Sequence, residues 1–276
     1  MYAPDSLYAQ ARQIANNALH ATRNKVRRDD SYKHSSRAVK LMNQRDTRDA
    51  PHLLALLLLQ SPVAARAQYE MDKRSGGYNN HQARLFELID FNDTFVSTIL
   101  ALPEPELYGF NEALRSELTA FSRQMRTANF SDKQLEAITH GLSREIAVYR
   151  GARRLGYLAR MASRVQDAKG VDMIITDPET KKSLGIDVKT RSSFHFRLIN
   201  LQRQRRIDEQ QRLACEEAGF CTVKYDRNSN SQQSDTVLFR IATRELGPIA
   251  NYSFGDLGPL SQHLANAFEH HGKYIV

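Results

Sequence analysis

The chain has few of the residues that staple, break or anchor a fold. Its 276 residues include only two cysteines, Cys215 and Cys221. They cannot build a disulfide framework, and without a second pair they give no zinc-like spacing; they read as reduced core thiols. Glycine (13) and proline (8) are sparse, and 41% of residues are hydrophobic and 25% charged. That balance excludes a collagen-like, low-complexity or wholly disordered chain and supports a sizeable core. Long apolar runs are missing too. The longest, Leu53 to Leu59, covers seven residues, against about twenty for a membrane-spanning helix, so no membrane segment is expected and the run reads as a buried core or dimerisation helix. The opening Met1-Tyr2-Ala3-Pro4-Asp5 lacks the charged-then-apolar order of a secretory signal, and a cytoplasmic protein is expected. No internal repeat is apparent.

What the chain does have is positive charge: 39 Lys and Arg against 31 Asp and Glu, a net +8. Alone this indicates a polyanionic partner only weakly. It divides as +3 before Asn129 and +5 from there on, with a dense stretch from Arg12 to Arg48 of ten basic and three acidic residues. That stretch suits either a nucleic-acid backbone or a solvated helix face; it shows no interleaving of aromatics for stacking single strands.

The two parts differ in pattern. Residues 1–128 read as an all-helical module, with apolar residues at three- and four-residue spacing, such as Leu107, Phe110, Leu114, Leu118 and Phe121. Breaks are expected at Asp29-Asp30-Ser31, Asp49-Ala50-Pro51, Ser75-Gly76-Gly77 and Pro103-Glu104-Pro105. Residues 129–276 change to a mixed α/β pattern. Ser131 and Gln134 form a capping-box signature for a helix running to about Tyr157. Strands are expected at about 158–164, 171–176 and 185–190, a helix at about 201–218, two strands at about 220–226 and 236–243, and a last helix at about 260–270.

Within that α/β part, Gly170-Val171-Asp172-Met173-Ile174-Ile175-Thr176 and Gly185-Ile186-Asp187-Val188-Lys189-Thr190 each interrupt an apolar strand with a carboxylate. Burying an unpaired carboxylate costs several kcal/mol, so these residues need a reason to be there. Strand alternation points Asp187 and Lys189 to one face, and if the two strands pair as a hairpin, Asp172 reaches the same patch. The chain holds three acid-x-Lys triplets. Asp167-Ala168-Lys169 and Glu179-Thr180-Lys181 lie in polar turns and read as solvated; only Asp187-Val188-Lys189 follows another Asp-bearing strand.

This arrangement resembles the PD-(D/E)xK nuclease superfamily, with Asp172 at the first position, Asp187-Val188-Lys189 at the second, and Glu145 matching the usual helical Glu 27 residues before Asp172. Val171 stands where that motif has proline. The resemblance covers about 131 to 245. It implies a restriction-endonuclease-like αβββαβ core with a mixed central sheet, and a nuclease that hydrolyses phosphodiester bonds with Mg²⁺ or Mn²⁺, DNA being favoured over RNA. Asp172, Asp187 and the Val188 carbonyl would ligate the metal. Lys189 would polarise the attacking water, and Glu145 would assist as ligand or through water; an ion pair with Arg144 or Arg150 is the competing reading of Glu145. Weaker nucleic-acid contacts are expected from Arg150, Arg153 and Arg154 as a rim, from Arg191 if the strand continues, and from Gln202, Arg203, Arg205 and Arg206 on the following helix; His195 reads more readily as structural. A homodimer would suit two-fold symmetric cutting. The alternative from another class is a nuclease-fold protein that has stopped cleaving and serves to bind nucleic acid or to assemble. The joint presence of Asp172, Asp187 and Lys189 favours activity.

Overall fold

The computed structural model describes residues 4–23, 30–44, 47–73, 82–167, 170–224 and 237–269. The break expected at Ser75-Gly76-Gly77 lies outside them. The chain divides into two compact units, Met1–Thr139 and His140–Val276.

The first unit is helical. Its helices are α1 (Pro4–Thr22), α2 (Ser31–Asn43), α3 (Ala50–Asp72), α4 (Gln82–Ala101) and α5 (Phe110–Met125), with a 3₁₀ turn at Glu104–Leu107 where the Pro-rich break was expected. Two of the expected breaks are helix starts with a physical cause. Asp30 accepts from the Lys33 N–H at 3.0 Å, and Asp49 accepts from the His52 N–H at 3.1 Å, each satisfying an orphan donor of the first helical turn. The Leu53–Leu59 run lies in α3, and every one of its residues is buried. A helix apolar on all sides must be covered on all sides, and α3 packs against α1, α2, α4 and α5. Among the described residues no helix is long and apolar enough to cross a membrane.

The second unit is built on a five-stranded mixed sheet. α6 (Asp132–Arg154) leads into it and opens with the expected capping box: the Ser131 hydroxyl accepts from the Gln134 N–H at 3.2 Å, and the Gln134 side chain accepts from the Ser131 N–H at 2.9 Å. There follow β1 (Leu158–Met161), the short helix α7 (Arg164–Asp167), β2 (Met173–Thr176), β3 (Ser183–Lys189), α8 (Arg191–Arg203), α9 (Glu209–Ala218), β4 (Phe220–Lys224) and β5 (Val237–Ala242). A two-residue hairpin, β6 (Ile249–Ala250) and β7 (Ser253–Phe254), and α10 (Gly258–Glu269) complete the unit. The sheet order is β1-β2-β3-β5-β4, antiparallel except for the parallel pair β3 and β5.

Alternation along the strands gives the sheet two apolar faces. Met173, Ile175, Leu184, Ile186, Val188, Phe239 and Ile241 pack with α6 and α10. Ile174 and Leu238 pack with Phe194, Leu198 and Leu201 of α8 and Cys215 of α9. Both cysteines are free and buried, as expected.

Three local expectations are corrected. The first strand stops at Met161, because Ser163 and Gln166 bond each other's backbone N–H groups in a second capping box and turn 164–167 into helix. The third strand stops at Lys189, because the Thr190 hydroxyl accepts from the Ser193 N–H at 3.2 Å and starts α8. The single helix expected over 201–218 is the end of α8 and a separate α9. Arg205 takes a left-handed φ of +56°, which no helix interior tolerates, and Asp208 with Gln211 caps the new start.

Candidate functional site

The β2–β3 register pairs Met173 with Ile186, and just beyond it, one step out of that register, the Asp172 N–H also bonds the Ile186 carbonyl at 2.8 Å. Asp172 thus sits just before β2, close enough to Asp187 for that charge to act on it. The Asp172 Oδ2 also accepts from the Val188 N–H at 2.6 Å. The Asp172 and Asp187 carboxylates therefore lie in one patch at this end of the hairpin.

Asp187 is 2% exposed. Lys189 Nζ closes on its Oδ1, and Arg240 Nε lies 3.0 Å from its Oδ2. Arg240 belongs to β5, where the parallel register sets it opposite Asp187. Lys189 also lies 3.5 Å from the Val188 carbonyl. Burial alone would lower the Lys189 ammonium, but Asp172 and Asp187 outweigh it and hold its pKa above the ordinary lysine value.

Glu145, on α6, reaches the same field. Burial pushes its carboxyl well above the usual range, Asp172, Asp167 and Asp187 push further, and Lys189 opposes them. Asp172 behaves alike: burial pushes it up to about 7, with Lys189 opposing and Asp187 adding. The competing ion-pair reading of Glu145 fares less well with Arg144, which turns to the His140 carbonyl at 2.7 Å and the Thr243 hydroxyl at 2.9 Å.

One member of the cluster was misjudged from sequence. Asp167, read there as a solvated turn acid, sits half-buried at the end of α7 with its carboxyl raised by burial and steadied by Lys189. Four carboxyl groups (Glu145, Asp167, Asp172, Asp187) thus share one field with two cations, Lys189 and Arg240.

A basic groove borders this cluster. Its narrower part, about 430 Å³, is lined by His140, Ser143, Arg144, Thr190, Arg191 and Arg244, among others, and by no carboxylate. A wider part of about 680 Å³ shares His140, Arg144, Thr190 and Arg191 and adds His195, Glu216 and Glu245. Arg191 is thus beside the site, though as the first residue of α8 rather than on a continued strand. His195 is exposed and bonds Glu216 at 2.6 Å.

The remaining arginine expectations separate from the site. Arg150 reaches the Asn251 carbonyl at 3.4 Å and Arg153 the Tyr149 hydroxyl at 3.2 Å; neither they nor Arg154 lines the groove. Gln202 and Arg203 end α8, about 17–18 Å along its axis from Arg191 at 1.5 Å per residue, and Arg205 and Arg206 lie in the connection to α9 rather than on a helix.

Among the described residues no three His, Cys, Asp or Glu side chains are arranged to hold a metal ion. The donor chemistry nonetheless suits a hard dication: the carboxyls are oxygen donors, and with all four ionised the cluster would carry two more negative than positive charges. Compared with known proteins, the chain matches no family model, no curated protein and no solved structure.

Proposed function

We propose that the second unit is a metal-dependent nuclease with a restriction-endonuclease-like core, hydrolysing phosphodiester bonds, DNA first. The observation that carries this reading is that Asp172, bonded to the Val188 N–H, lies within the field of Asp187, with Lys189 closing on Asp187 and Glu145 in the same field. The excess of carboxyl groups over cations in the cluster, four against two, supports it. Protons can fill the deficit, which is what the raised Glu145 and Asp172 express, and so can one Mg²⁺ or Mn²⁺.

Asp172, Asp187 and the Val188 carbonyl would hold the ion, with Glu145 as a further ligand or acting through water. When bound, the ion supplies Lewis-acid stabilisation of charge on the phosphate and brings a water to reactivity near neutral pH. Lys189, beside Asp187, would hold the attacking water and offset charge on the phosphate oxygens. Arg240 stays on Asp187 Oδ2 and fixes the carboxylate's orientation.

The test is a panel of plasmid, linear, single-stranded and branched DNA and of RNA, with Mg²⁺ or Mn²⁺, for the parent, Asp172→Asn and Lys189→Met. Chelator-sensitive cleavage lost in both variants supports the assignment; equal cleavage by all three proteins sinks it.

A specific observation favours the second reading. Both oxygens of Asp187 are already held by Lys189 and Arg240, as in a site that has become a structural ion cluster. On that reading the protein binds nucleic acid, or assembles, without cutting it. No cleavage of any substrate, together with tight binding, would establish it.

A further inference from the structure

We propose that the groove lined by Arg144, Arg191 and Arg244 holds the sugar-phosphate backbone of a single nucleic-acid strand. This deepens the nuclease reading by naming the form of its substrate, and rests on that reading for the strand being cut rather than only held.

Charge carries the assignment. The narrow part of the groove gathers three guanidinium groups and His140, with Ser143 and Thr190 hydroxyls between them and no acid in its lining. Arg191 and Arg244 are exposed and have no acidic partner among the described residues. Like charges gathered in a concave surface repel one another, and an anionic ligand removes that repulsion. Guanidinium groups match phosphate oxygens in a bidentate way. Arg144 is fixed rather than free: it is bonded to Thr243 at 2.9 Å, and partial burial lowers its pKa without discharging it.

Continuity with the carboxylate cluster argues for a polymer rather than a lone phosphate. Arg144 precedes Glu145 on α6, Thr190 follows Lys189, and the Thr243 hydroxyl donates to the Lys189 carbonyl at 3.5 Å. The groove and the cluster are thus joined through α6, the end of β3 and the turn after β5. The wider part carries two acids. Glu216 is neutralised by Arg212 and His195, each 2.6 Å away, while Glu245 stays on the rim. His195, one helical turn from Arg191, presents a flat ring there for stacking a base. The cavity volumes match small-ligand sites, the scale of a few nucleotides of one strand.

The experiment measures anisotropy of a labelled single-stranded oligonucleotide with the full chain in chelator, where cleavage plays no part. Arg191→Ala/Arg244→Ala is expected to bind at least tenfold more weakly. The slope of log affinity against log salt is expected to fall by about 1.4, for two phosphates no longer neutralised. Both residues are exposed, so an unchanged thermal midpoint will show that folding is intact; Arg191→Glu alone serves as the second variant, with an expected loss at least as large as that of Arg191→Ala. Unchanged affinity in these variants overturns the proposal. So does a blunt duplex of the same sequence that binds as tightly and loses as much, or polyglutamate that competes as well as an unlabelled strand. Absence of cleavage when Mg²⁺ is restored bears on the nuclease reading alone and leaves the binding result standing.

Discussion

The two units bury different things. In α3 of the helical unit, seven consecutive residues from Leu53 to Leu59 are buried, and all are leucine or alanine. In β3 of the second unit the run Leu184, Gly185, Ile186, Asp187, Val188 is buried as completely, and a carboxylate stands in it. Apolar burial is its own explanation, at about 25 cal/mol per Å² removed from water. A buried carboxylate gives no such return. The second unit must bring Lys189 and Arg240 to it, and isosteric apolar residues would usually serve stability as well or better. The contrast motivates the proposed site: apolar burial accounts for the Leu53–Leu59 run, and it does not account for Asp187.

The largest expected effect separates the two directly. Lys189→Met keeps the side chain's length and removes its charge, and phosphodiester cleavage is expected to fall by about 10² to 10⁴ while most of the protein stays folded. Leu57→Ala in α3 should do the reverse. It is expected to remove about 2–5 kcal/mol of stability and leave the rate per folded molecule as it was. Denaturant titration and turnover measured on the same preparations check both. If Leu57→Ala lowered turnover as much as Lys189→Met, the division of labour would be lost.

Next in size is Arg240→Ala. It leaves Asp187 buried with Lys189 as its one remaining cation, and is expected to cost about 3 kcal/mol, near the lower end for breaking a buried pair. Charge removal on an exposed arginine such as Arg154 should be close to neutral. A chemical denaturation midpoint for Arg240→Ala equal to the parent's would mean that Asp187 is far better solvated than its 2% exposure indicates.

The cluster should also make stability depend on pH in a direction opposite to that of an ordinary salt-bridged acid. Asp172 has a folded pKa of about 7 against 3.8 for the free side chain. Between these values the native state binds more protons than the unfolded one, so stability is full below about pH 4 and declines as pH rises through about 7. The raised Glu145 adds in the same direction. Asp172→Asn keeps an acceptor for the Val188 N–H and removes the titration. It is expected to flatten the slope and to stabilise the protein at pH 8 by on the order of 1–3 kcal/mol, within the span of a shift of that size. Millimolar Mg²⁺ at pH 8 should raise the parent's thermal midpoint and the variant's much less. A parent whose stability rises from pH 5 to pH 8 and does not respond to Mg²⁺ would contradict the account of the cluster.

How far the sequence discloses all this depends on the range of the interaction. Asp172, Asp187 and Lys189 are legible because strand alternation and hairpin pairing are short-range rules, and the Ser131–Gln134 capping box because it needs only four residues. Arg240 is not legible: it meets Asp187 through the parallel pairing of β3 with β5, across two helices and a strand, and no local pattern marks it. Asp167 was hidden differently. Its segment is polar and turn-like, yet the Ser163–Gln166 box winds it into helix and carries the carboxyl inward. That box, like Asp208–Gln211 before α9 and Thr190 before α8, is a local signal, outvoted where strand-like or helical residues on either side encouraged longer elements. The basic groove was foreseen only through Arg191, because its other walls come from α6 and from the turn after β5.

The smallest predicted effect returns to aspartate, which both units contain in very different roles. Asp49 is exposed and accepts one backbone N–H from His52 at the start of α3. Asp49→Ala is expected to cost about 1 kcal/mol, the usual value of an N-cap, with no change in cleavage and no loss of the response to Mg²⁺. Thermal melts with and without Mg²⁺ read both quantities at once. A carboxylate that water can reach contributes what its hydrogen bond contributes and little more. The same group in β3 needs two cations in a β-sheet interior, and a loss of Mg²⁺ response on removing Asp49 would show that the ion's effect does not come from the buried cluster at all.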